Sequence, residues 1–264
     1  MQVFESDGAR ISARVDGSGD DAVVLIHGFP FSREIWNEQF EMLAAAHRTI
    51  AIDLRGMGES SVCDGPYLME ILAGDVAGVL DALGIERATI VGHSLGGYVA
   101  LAFARMYSER VARLALICSR LGADDAALVS GRNELASRIE ETGSNAEVVG
   151  AMLDGLFAPQ TRERHPEIVE KARKIAKKND PRGMAAMQRG MALRDASYDI
   201  APDLTMPVLV VAGASDPLLS VPQARAMAAA FPAARLLVCP GSGHAPMLED
   251  GPLLGRALLE FIAG

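Results

Sequence analysis

The chain has 264 residues, half of them apolar and 22% charged, with a formal net charge of −9 and an isoelectric point near 5.1. That acidity argues against a nucleic-acid partner, and no apolar stretch approaches the roughly 18–20 residues a membrane span needs. The opening MQVFESDGARISARV lacks a basic region followed by an apolar core, so no signal peptide and a cytoplasmic location are expected.

In chain order, QVFES (2–6) and RISARV (10–15), with Asp-Gly between them, read as an antiparallel hairpin. AVVLI (22–26), RTIAI (48–52), ATIV (88–91), VARLALIC (111–118), PVLVVAG (207–213) and ARLLVC (234–239) follow. These β-branched or aliphatic runs do not alternate apolar with polar residues, which fits strands covered on both faces of a parallel sheet. Helices are expected at 33 to about 46 with Ser32 as cap, at 67–83 ending on Gly84, at 95–107 and at 252–262. This alternation indicates an α/β fold with a doubly wound, mostly parallel sheet of about eight strands. From about 120 to 203 only charge-rich helical patterns occur. Structureless connections rarely exceed ~15 residues, so the segment is expected to be a small helical cap inserted after the sixth strand. The division is a core of 1–119 and 204–264 and a cap of 120–203.

Ser94 lies in Gly-His-Ser-Leu-Gly, between the ATIV run and an apolar helix. That is the setting of a nucleophile elbow, a strand-to-helix turn so tight that it strains the serine backbone. Gly92 and Gly96 leave room where a Cβ would collide across the turn. A serine hydroxyl needs a base, and the base an orienting acid. His244 follows the last strand and Asp216 the PVLVVAG strand, so the order Ser94, Asp216, His244 and the positions at C-terminal strand ends both fit. An Asx turn before Pro217 is the plainer reading of Asp216. The oxyanion of a tetrahedral intermediate needs two aimed N–H donors. They are assigned to the Leu95 amide and to Phe29 in His-Gly-Phe-Pro after the AVVLI strand. His27 and His93 are read as structural. Cys63, Cys118 and Cys239 form no CxxC, and the five histidines form no HxxxH or HxH pair, so no metal site is expected.

HGFP (27–30), DLRGMGES (53–60), GHSLGG (92–97), the Asp216 loop and SGHAPMLE (242–249) together resemble the α/β-hydrolase superfamily, over about 20–118 and 204–264. In DLRGMGES the resemblance implies a turn in which Asp53 and Arg55 are structural. Serine at the elbow disfavours haloalkane dehalogenases and epoxide hydrolases with a nucleophilic aspartate. Carboxylesterases, 3-oxoadipate enol-lactonases, carbon–carbon bond hydrolases and cofactor-free haloperoxidases or perhydrolases remain. The stretch 180–213 resembles the end of the cap in enol-lactonase-like members.

The expected function is a serine hydrolase that cleaves a small carboxylic ester or lactone through an acyl-enzyme. It needs no metal or organic cofactor, and its only expected partner is that small molecule. Perhydrolysis or carbon–carbon cleavage on the same triad is the alternative, and a non-catalytic ligand receptor is an alternative of another class. Met184, Met187 and Met191 share one helix face, so Met187 and Met191, with Met152, form an adaptable roof or ordinary packing. Trp36 and Phe31 wall the pocket or fill the core. Residues 162–178 carry seven Lys/Arg and three Glu, a basic face that either steers anionic substrates or is simply solvated.

Overall fold

In the computed structural model, which describes residues 1–19 and 21–264, eight strands form one sheet. They are β1 (Gln2–Ser6), β2 (Ala9–Asp16), β3 (Ala22–Ile26), β4 (Arg48–Ile52), β5 (Ala88–His93), β6 (Val111–Ile117), β7 (Val208–Gly213) and β8 (Ala234–Cys239). Their spatial order is β1-β2-β4-β3-β5-β6-β7-β8. The β1–β2 and β2–β4 pairs are antiparallel and the rest parallel. Asp7 (φ 39°) and Gly8 (φ 73°) make the hairpin turn, which needs two left-handed residues.

Six α-helices flank or follow the sheet in the core segments and four occupy the long connection among the described residues. Helices α1 (Asn37–Ala44), α2 (Met69–Ala82) and α3 (Leu95–Met106) precede β6, and α4 (Ala126–Thr142), α5 (Pro159–Arg164), α6 (Pro166–Lys177) and α7 (Pro181–Ala192) follow it. Then come α8 (Val221–Ala228), the single turn α9 (Pro246–Glu249) and α10 (Gly251–Ala263), while a 3₁₀ turn, Arg33–Trp36, leads into α1. Successive strand residues go to opposite faces. Val24, Ile26, Ile90, Leu114, Leu116, Val208 and Val210 join a cluster with α2, α3 and α8. Val23, Leu25, Val91, Ala115, Ile117, Leu209 and Val211 join one with α1 and α10. Both faces are covered along β3, β5 and β7, where every position is buried, whereas the edge strand β8 keeps Arg235 exposed.

Local signals act as expected in most places. Gly84 (φ 66°) ends α2 with Ile85 N–H on the Leu80 carbonyl (2.9 Å) and Gly84 N–H on that of Asp81 (3.0 Å), the double closure of a left-handed C-cap. Asp125 caps α4 through Leu128 N–H (2.8 Å), and Asp180 caps α7. The helix expected at 33–46 is split instead, and Ser32 does not cap it. Its buried Oγ has no partner, because the tight 3₁₀ turn closes through its carbonyl, which accepts from Ile35 N–H (3.2 Å).

The connection from β6 to β7 contains helices and, among the described residues, no strand. Leu135, Ala136 and Ile139 of α4 pack with Met184 and Met187 of α7, and Val169, Ala172 and Ile175 of α6 join the α1–α10 side. Asn179, between α6 and α7, donates to the Pro30 carbonyl (2.7 Å) and accepts from Gly58 N–H (2.6 Å). One buried amide thus ties this segment to two core loops. No helix among the described residues is long and apolar enough to cross a membrane.

Asp53 and Arg55 are structural, but they serve different partners. Asp53 accepts from the Arg33 amide (2.8 Å), the Glu59 amide (3.0 Å) and the Arg33 guanidinium, joining the loop after β3 to the turn after β4. Arg55 forms a two-pronged pair with Asp75 of α2 (2.8 and 3.0 Å), and both side chains are buried. Removing one partner of such a pair strands a buried charge. Asp75→Asn is therefore expected to lower unfolding free energy by about 3 kcal/mol, measured by urea denaturation. A loss under about 1 kcal/mol would count against the pair as an anchor.

Candidate active site

Ser94 joins β5 to α3 with φ 50° and ψ −111°, a left-handed conformation costing a non-glycine residue about 1–3 kcal/mol. Its amide donates to the Ile117 carbonyl (2.8 Å), and its own carbonyl accepts from Gly97 N–H (2.9 Å) and Ser119 Oγ (2.9 Å). A Cβ on Gly92 would strike the Gly96 carbonyl, and one on Gly96 the Ile26 carbonyl. The glycines therefore let β5, α3 and the end of β3 meet at one point.

His244 follows β8, and its Nε2 is 2.9 Å from Ser94 Oγ. Its Nδ1 is 2.9 and 3.0 Å from the carboxylate oxygens of Asp216, which follows β7. Asp216 also accepts from the amides of Leu218 (2.8 Å) and Leu219 (3.1 Å). Burial by itself raises that carboxyl, but the bond from His244, its charge and the Leu218 amide outweigh burial and hold it below the usual range. The Leu218 bond also makes the turn that Asp-Pro suggested, so Asp216 closes an Asx turn and faces His244 at once.

Phe29 lines the same cavity as Ser94 and His244. Leu95 opens α3, and among the described residues neither its amide nor that of Phe29 donates a hydrogen bond. The cavity is small, about 50 Å³, and is also lined by Tyr98, Cys118, Ser119, Arg120, Arg132, Met152, Leu156 and Met191. A wider surface cleft, lined by Asp81, Glu86 and Arg110, brings together no nucleophile and base.

The other pocket residues divide. Met152 and Met191 line the cavity. Met187 does not: it is fully buried in the core with Met184, four helical residues or about 6 Å of axial rise from Met191. Trp36 and Phe31 are likewise fully buried, with Trp36 edge-on to the His93 ring at 6.4 Å. They fill the core beneath the site. The basic face of α5 and α6 contributes nothing to the cavity, and its Arg173 and Lys178 pair with Asp154 and Glu34.

Three further groups surround the site, and of these the sequence assigns a structural role only to His93. His93 Nε2–H donates to the His244 carbonyl (2.7 Å), with the two rings 5.1 Å apart. Glu249 accepts from the amides of Gly243 (2.9 Å) and Ala245 (3.2 Å) on either side of His244, and from Ala158 N–H and Thr161 Oγ1. The His244 amide itself donates to the Leu156 carbonyl (2.7 Å). Only Glu249's place in SGHAPMLE could have flagged it. Arg120, directly after Cys118 and Ser119, is the third. His27 accepts from Leu54 N–H at Nε2 (3.0 Å) and holds its loop.

Cys118, Asp216 and His244 place ligand-type atoms within 4.8 Å of one another. Burial, and then Asp216, push the Cys118 thiol well up, so it is a protonated thiol and not a thiolate donor, and Asp216 and His244 are engaged with each other. That donor set does not suit a metal ion.

Residues 21–251 match the profile of a family described as the alpha/beta hydrolase fold. The structure is similar to that of a thermophilic esterase from Thermogutta terrifontis with malate bound, at 34% identity and TM-score 0.95 over 99% of this chain and 97% of that one. It is also similar to an enol-lactonase from Burkholderia xenovorans LB400, at 26% identity and TM-score 0.92 over the whole of both chains. An uncharacterised protein of Mycobacterium bovis is 31% identical over 95% of this chain and 77% of its own length.

Burial, and then the charge of His244, drive His93 down to about 3 from an ordinary value near 6.5. Its unfolded state therefore binds a proton below pH 6.5 that the folded state refuses, and stability falls as pH drops from 6.5 towards 3. Between pH 7 and pH 5 wild type is expected to lose about 2 kcal/mol more than His93→Gln, read from urea unfolding at both pH values. Equal losses would show that His93 titrates freely.

Proposed function

Because the chain belongs to the α/β-hydrolase-fold family, we propose that it is a serine hydrolase of small carboxylic esters or lactones. The observation that carries this reading is the unbroken relay from Ser94 Oγ through His244 to Asp216, at 2.9 Å on each side, opening on one cavity. Ser94 Oγ attacks the ester carbonyl carbon while His244 Nε2 takes its proton. Asp216 keeps the proton on Nδ1 and stabilises the imidazolium that forms. The Phe29 and Leu95 amides, free of other acceptors, receive the oxyanion. Collapse breaks the carbon–oxygen bond to the alcohol, which leaves with the proton from His244. Water then gives a proton to His244 and attacks the acyl-enzyme, releasing the acid and restoring Ser94.

The residues 120–203 act in this reading as a cap over the acyl site, through Met152, Leu156 and Met191. The esterase and enol-lactonase neighbours support ester or lactone cleavage over the other chemistries open to such a triad.

Ser94→Ala is expected to lose at least ~10⁴-fold in kcat on short-chain 4-nitrophenyl esters, and Asp216→Asn a similar factor. An alkyl fluorophosphonate should leave its adduct on Ser94 of wild type, read by peptide mass spectrometry. Turnover surviving in Ser94→Ala, or wild type left unlabelled, would refute the mechanism.

A further inference from the structure

Beside Ser94, three arginines face one carboxylate. Asp124, with its side chain almost fully buried, is shared by Arg132 and by Arg194 (3.3 Å). Arg194 stacks its guanidinium 3.8 Å over the Tyr98 ring, and Arg120 Nε donates to the Tyr98 hydroxyl (3.2 Å). Arg120 forms no ion pair among the described residues, and a phenol is its one hydrogen-bond partner. Arg132 spends its remaining reach on Gln188 Oε1 (3.1 Å). Burial pulls the Arg194 guanidinium down, against Tyr98 and Asp124, and repulsion from Arg120 and Arg132 pushes it the same way. The three guanidiniums and Asp124 leave two more positive than negative charges in a half-buried cluster, with Asp216 the next carboxylate acting on Arg120. Buried charge of one sign calls for a counter-charge.

Two of these arginines, Arg120 and Arg132, line the cavity that contains Ser94 and His244. Tyr98 supports the cluster from the first turn of α3, its amide bonded to the Ser94 carbonyl (3.3 Å). A counter-anion for the cluster would therefore sit inside the reaction cavity. A guanidinium fork presents paired N–H donors that match a carboxylate.

We propose that Arg120, supported by Arg132, binds an ionised carboxylate carried by the substrate, so that this protein prefers acidic esters, such as half-esters of dicarboxylic acids, to neutral ones. The proposal rests on Ser94 as nucleophile. It assigns the selectivity to the cavity wall and not to the solvated basic face of α6.

Hydrolysis of monomethyl glutarate against methyl pentanoate places the acid in the acyl part, and 3-acetoxypropanoate against propyl acetate places it in the alcohol part. Proton release at constant pH and salt reads all four. Wild type is expected to favour the acidic member of at least one pair by ~10-fold or more in kcat/KM, the scale of a charged hydrogen bond, and the favoured pair identifies the side that carries the carboxylate. Arg120→Gln should cut that ratio by a similar factor, while Lys174→Gln on α6 leaves it unchanged. A ratio of one or below in both pairs overturns the proposal, as does a ratio that Arg120→Gln retains. Turnover of the neutral esters with Ser94 labelled but no acidic preference overturns only this inference, whereas loss of labelling and turnover together overturns the hydrolase reading. Calorimetry with glutarate reads the subsite without turnover. Binding weakened ten-fold or more in Arg120→Gln supports it, and no binding by wild type at millimolar glutarate overturns it.

Discussion

The left-handed backbone of Ser94 is the constraint on which the site depends. A residue with a Cβ holds φ 50° only where surrounding structure over-determines it. Here the Ile117 carbonyl, the Ser119 hydroxyl and the first turn of α3 do so, and Gly92 and Gly96 allow β3, β5 and α3 to crowd together. Once that junction is set, parallel register decides the rest. The C-terminal ends of β3, β5, β6, β7 and β8 lie side by side and deliver Phe29, Ser94, Ser119, Asp216 and His244 to one edge. Residues more than a hundred positions apart meet because the sheet order brings their strand ends together.

The electrostatics sort into satisfied and unsatisfied groups. Asp216 is buried but receives a ring N–H and two amides, so it remains a carboxylate where an unpaired one would take up a proton. His93 is buried without an anionic partner, stays neutral, and can hold the His244 backbone without competing for its proton. The arginine group around Asp124 is the exception. Its surplus positive charge borders the cavity, where we place the substrate's carboxylate.

The helical segment between β6 and β7 is bonded to the loops of the site. Leu156 accepts from the His244 amide, Glu249 links the His244 loop to Ala158 and Thr161, and Asn179 bonds both the loop after β3 and the turn after β4. His244 is thus held partly by the helical segment between β6 and β7. A change in that segment reaches the His244 backbone through hydrogen bonds as well as through the pocket wall.

The strand-end placement of Ser94, Asp216 and His244, the strands of the sheet and the strand-free stretch between β6 and β7 were legible in the sequence. Each follows from a local rule: a doubly covered strand must be apolar, and a tight elbow must carry glycine on both sides. The split of the first expected helix, the pairing of Arg55 with Asp75, and the burial of Trp36 and Met187 were not legible. The sequence lists residues on one helix face, but which of them reaches the cavity depends on how that helix lies against the core. Likewise Arg120 is an ordinary surface-type residue in the string, and its lack of an anionic partner exists only once Arg132, Arg194 and Asp124 are brought around it. Local chemistry was therefore determined by the sequence, because strand, turn and elbow are short-range constraints. The occupants of the pocket wall and its charge were decided by tertiary structure, because they depend on contacts between segments far apart in the chain.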